Sequence, residues 1–142
     1  MRIPPSPSTT SRYSQMSPLE LVDLAASHHA ELKRLFGTPM SRQARADASA
    51  HAAHLGFALL TCRDNFGRDL WNNHLAPTLR DVIFMEELDA AWNTRLRLGS
   101  VLHIPNPPAP QVRLTKAAAP HLAVLGEHLA EAQAFLDQGL RG

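Results

Sequence analysis

Apolar residues recur three and four positions apart through much of this chain, the spacing of helices that each bury one face. The clearest stripe runs Leu21, Leu24, Ala25, His28, Leu32 and Leu35. Ser17 precedes it as an N-cap, Pro18 suits the first helical position, and Glu20 completes a capping box. Met16 and Leu21 stand at the positions of a hydrophobic staple, Lys33 and Arg34 suit the negative end of the dipole, and Gly37 suits a left-handed C-cap. These signals predict a helix over about 17–36.

Thr38-Pro39 repeats the Ser-Pro opening and predicts a second helix over 38–63, alanine-rich at first and bulky later. Asp64-Asn65-Phe66-Gly67 reads as a turn, followed by a short helix over 68–75. Pro77 opens a helix over 77–98 that Gly99 ends, and within it Val82, Ile83, Phe84 and Met85 form an apolar belt around the whole circumference. Pro105, Pro107, Pro108 and Pro110 make 99–119 an extended connector, with brief strands expected at Val101–Ile104 and Gln111–Leu114. A last helix over 120–138 carries Leu122, Leu125, Leu129, Ala132 and Leu136 as a coiled-coil-like seam. Residues 1–15, rich in Pro, Ser and Thr, read as a flexible arm. The predicted architecture is all-α: a four- or five-helix antiparallel bundle or small helical array over 16–142, with an extended N-terminal arm and a Pro-rich connector.

Composition narrows the function classes. A chain of 142 residues, 44% apolar and 19% charged, can bury a core as one domain. A net charge of +1 argues against a nucleic-acid coat. The single cysteine, Cys62, excludes an internal disulfide and reads as a small buried hydrophobe. No apolar run reaches membrane-span length and the first residues lack a signal-peptide pattern, so the expected location is cytoplasmic, with no membrane partner. Arginine outnumbers lysine twelve to two in an alanine-rich chain, the usage of a GC-rich bacterium, its phage or a mobile element.

Eight histidines supply the most conspicuous polar chemistry. His51 and His54, one turn apart, share a helix face and are the candidate metal ligands, although the Glu-x-x-His pairs of bundle metal sites are absent. Arg42 and Arg45 near a helix start are the candidate nucleic-acid contacts, without the basic surroundings that base reading needs. Phosphate-cradling glycine loops, nucleophile elbows and zinc-protease motifs are missing, and Glu86, Glu87 and Asp89 read as a solvated face. No catalytic residue and no cofactor is therefore expected. The apolar belt and the terminal seam suggest more apolar surface than one small bundle hides. The preferred expectation is a non-enzymatic interaction module (an adaptor, regulator or inhibitor) that binds another protein or itself as a homo-oligomer through Val82, Phe84, Met85, Trp92, Leu125 and Leu129. A nucleic-acid-binding regulator and a histidine-based metal protein with enzymatic activity are the alternatives.

Overall fold

The computed structural model of the chain describes residues 13–38, 41–102 and 110–138. Of these, 90% are helical and none is in a strand. After a helical turn at 13–15 come α1 (Pro18–Phe36), α2 (Arg42–Asn72), α3 (Leu79–Leu102) and α4 (Pro110–Gln138). Residues 1–12 of the expected arm, Pro39, and the proline-dense stretch 103–109 lie outside the described residues.

α1 forms as its sequence signals require. The Ser17 side chain accepts from the Glu20 amide at 3.1 Å while Glu20 Oε1 accepts from the Ser17 amide at 3.0 Å. Two otherwise unpaired amides of the first turn are satisfied reciprocally. The helix ends at Gly37, whose φ of −88° is right-handed rather than the left-handed cap anticipated.

α2 differs most from expectation. Ser41, not Thr38, caps it by accepting from the Ala44 amide at 3.0 Å. The helix then runs unbroken through the predicted turn at 64–67. Asn65 and Phe66 are buried there: Asn65 donates to the Ser14 carbonyl and accepts from Arg68, and Phe66 meets Phe84 edge-on with ring centroids 4.9 Å apart. Tertiary packing thus overrides the local turn tendency of Asp-Asn-Phe-Gly. The helix stops at a Schellman motif, with the Leu75 amide donating to the Leu70 carbonyl at 2.9 Å and the His74 amide to the Trp71 carbonyl at 3.0 Å. His74 takes a φ of 55° to make it.

Pro77 lies outside α3. Thr78 and Asp81 open that helix with a second reciprocal pair, at 2.9 and 3.2 Å. Gly99 does not end α3, which continues to Leu102, and α4 already begins at Pro110 with Pro120 inside it. The strand expectations at 101–104 and 111–114 are therefore corrected for Val101, Leu102 and 111–114, which are helical; 103 and 104 lie outside the described residues.

The four helices form an antiparallel ring in which each packs on the next and α4 closes on α1. Contacts run in opposite order along every adjacent pair. Ser14 and Pro18 meet Asn65 and Cys62, while His28 meets His51. Phe84 and Asp89 meet Phe66 and Arg63; Arg80 and Glu87 meet Phe135 and His128; and Asp23 and Phe36 meet Gln133 and Thr115. Phe36, Leu55, Leu59, Phe84, Leu88 and Leu125 fill the centre, and the buried alanines Ala48, Ala52 and Ala58 make the inner face of α2 small. No helix among the described residues is long and apolar enough to cross a membrane.

Candidate functional site

The exposed apolar side chains are concentrated on one helical hairpin. Leu60 (46% exposed) and Trp71 (82%) lie on α2, Leu75 in the following loop, and Leu79 (76%), Val82 (38%) and Leu96 (42%) on α3. Val124 on α4 stands apart. The concentration follows from two stripes. On α2, Ala53, Phe57, Leu60, Asp64, Gly67 and Trp71 alternate four and three residues apart; on α3, Val82, Met85, Asp89, Trp92 and Leu96 alternate three and four. None of these eleven residues is buried.

The two stripes are brought side by side by Arg63, whose Nε lies 2.7 Å from Asp89 Oδ1, and by Gly56, over which the Arg95 guanidinium lies. A Cβ on Gly56 would sit 2.8 Å from Arg95 Cζ, so the absence of a side chain there admits the arginine. Arg95 in turn covers the Trp92 ring, 4.9 Å from its centroid, a cation–π contact. Its Nε finds no hydrogen-bond partner among the described residues, and burial lowers its pKa. Leu60 and Trp92 together line clefts of about 260 and 270 Å³ on this face.

The structure divides the six anticipated interface residues. Val82, Met85 and Trp92 belong to this face. Phe84, Leu125 and Leu129 do not: all three are buried in the core. Phe84 sits two residues from Val82, which on a helix is the opposite side, and the seam from Leu122 to Leu136 closes the bundle's own interior. Sequence reasoning missed the α2 stripe altogether. Its signal was the four–three spacing from Ala53 to Trp71, which a helix break at 64–67 conceals.

The other candidates lie elsewhere. Arg42 is exposed in the first turn of α2, one turn before the half-buried Arg45; further along, Arg63 is paired with Asp89 and Arg68 with Asn65. His51 and His54 face α1 and the turn before it, where they meet His28 and Tyr13, with Glu31 of α1 near enough to act on His51. Among the described residues no group of three or more His, Cys, Asp or Glu is arranged to hold a metal ion. Glu87 is joined to His128 Nδ1 at 2.7 Å. Cys62 is buried against the Pro18 carbonyl, and burial pushes its thiol up to about 12, far from nucleophilic use.

A cleft of about 370 Å³ between α1 and α4 is lined by His29, Lys33, Phe36 and Thr115 among others. Two of its polar groups are already engaged, with His29 Nε2 donating to the Leu122 carbonyl at 2.8 Å and Thr115 Oγ1 to that of Phe36 at 2.6 Å, which leaves Lys33 as the remaining polar side chain of the lining. It therefore lacks the convergent free polar groups of a small-molecule site. Compared with protein-family models, with curated proteins and with solved structures, the chain finds no match.

Proposed function

We propose that this chain is a non-enzymatic helical interaction module that acts through the outer face of the α2–α3 hairpin and self-associates there. One observation carries the reading: two four–three stripes of exposed and half-buried residues lie side by side, with Leu60 and Trp92 lining clefts at their centre. A solvent-facing seam of this spacing is stabilised when another helix covers it. Arg63 and Arg95 are matched on the face by Asp64 and Asp89. Balanced charge of this kind sets up no net repulsion between two copies related by a two-fold axis. Trp92 and Leu60 are the anchors, and Arg95 is the polar lid of the tryptophan. The Arg-rich, Lys-poor residue usage supports an origin in a GC-rich bacterium, its phage or a mobile element.

Light scattering at high micromolar concentration tests it. The wild type should have twice the chain mass. Leu60→Glu with Leu96→Glu, both at exposed positions, should give a monomer of unchanged helicity. A monomeric wild type rejects self-association, as does a double variant that still dimerises.

A further inference from the structure

A cluster of side chains between α1 and α2 takes no part in the apolar face. His28 of α1 and His51 of α2 meet Nδ1 to Nδ1 at 2.9 Å, their ring centroids 5.1 Å apart. His54, one turn further along α2, stacks on His28 with centroids 5.6 Å apart and planes inclined by 18°. Its Nδ1 lies 3.3 Å from the Tyr13 hydroxyl. Tyr13 belongs to the helical turn at 13–15, which α2 also holds through the bond from Asn65 to the Ser14 carbonyl. All three imidazoles and the phenol are half-buried. The cluster therefore ties together α1, α2 and the turn before α1.

Hydrogen-bond chemistry limits how many protons it can hold. A neutral imidazole has one donor and one acceptor, so the His28–His51 contact needs one Nδ1 protonated and the other bare. A first added proton can leave that contact intact, because an imidazolium N–H still finds a bare Nδ1 opposite. A second proton makes both facing nitrogens donors, and attraction becomes repulsion between like charges. His54, stacked on the same ring, brings a third group of the same sign.

The compensating charge is small. Glu31 on α1 acts favourably on both His28 and His51, but it is engaged at 2.8 and 3.0 Å by Arg34. α4 packs on α1 through His29 and supplies none of the charges acting on His28. Burial first, then the charges of His51 and His54, bring His28 down to about 4 from an ordinary 6.5.

We propose that His28, His51, His54 and Tyr13 form a proton-sensitive clasp between α1 and α2, closed while at most one of the two facing nitrogens of His28 and His51 carries a proton and released in acid to free the turn at 13–15. The sign follows from linkage. Between the folded and unfolded values of His28 the unfolded chain binds more protons, so its contribution to stability is fully present above pH 6.5 and drains away as pH falls toward 4. Imidazole and Tyr13 ring resonances of the whole chain, followed by NMR from neutral pH downward, test the clasp. The His28 signal should titrate near pH 4, and Tyr13 should lose its packed environment over the same range while bundle helicity persists. Thermal unfolding gives the second readout: His28→Gln should lose less of its midpoint between neutral pH and pH 4 than the wild type. A His28 that titrates at 6.5 or above overturns the proposal, as does a Tyr13 indifferent to its titration. Should His28→Gln not fold, the wild-type titration decides.

Discussion

Two neighbouring residues of α3 show how far one position decides a side chain's role. Phe84 is sealed against Phe66, whereas Val82, on the far side of the same turn, is 38% exposed. Phe84→Ala should therefore cost about 3–5 kcal/mol, because the ring leaves a cavity in a close-packed interior. Val82→Ala should cost about 0.5 kcal/mol. Denaturant unfolding of both variants checks the contrast. On the opposite seam, Gly126 makes room for a histidine: a Cβ there would stand 2.9 Å from His29 Cε1, and the ring is held by the Leu122 carbonyl. Gly126→Ala should destabilise the wild type by about 0.5 kcal/mol, because displacing the ring and its hydrogen bond, a cost of up to about 1.5 kcal/mol, outweighs the roughly 1 kcal/mol of better helix propensity. In a His29→Ala background the same change should stabilise by up to about 1 kcal/mol. A double-mutant cycle measured by thermal unfolding reads that reversal.

Helix ends supply the clearest effects of individual elements. Ser17→Ala removes one half of the α1 capping box and should lower stability by about 1 kcal/mol. His74 is the converse case, a β-carbon-bearing residue in the left-handed position that closes α2. His74→Gly should raise stability by about 1 kcal/mol while leaving the Schellman bonds in place. A lower melting midpoint for the first and a higher one for the second would confirm both. These ends also mark how much was legible in the sequence. Ser17, Pro18 and Glu20 announce α1 because its start depends on bonds between residues three apart. The continuity of α2 through Asn65 was not legible, since the carbonyl that satisfies that side chain belongs to Ser14. Gly99 and Pro120 misled for a related reason: each is a common helix breaker, yet α3 and α4 continue through them within the packed ring.

At the scale of the molecule, the all-α class follows from the spacing of apolar residues and the antiparallel order from the short connections between helices, and the expectation of surplus apolar surface is only partly met. The terminal seam is spent on the core, and the exposed surplus moves to α2 and α3. The turn signal at 64–67 hides that relocation from the sequence, because the stripe from Ala53 to Trp71 crosses it. Half of the candidate site was thus within reach of the sequence. The rest required knowing which flank of each helix its neighbours leave open.

The ring order of the helices bears on how quickly the chain finds its shape. Three of the four seams join consecutive helices, so most of the structure assembles from short-range hairpins with little loop entropy to overcome. The seam between α1 and α4 alone unites distant parts of the chain, with Asp23 meeting Gln133 and Phe36 meeting Thr115. Closing that circle is the topologically demanding step. Contacts made after the transition state slow unfolding rather than speed folding, so the fit of His29 over Gly126, which belongs to that seam, is expected to retard the opening of the closed ring more than the first appearance of its hairpins.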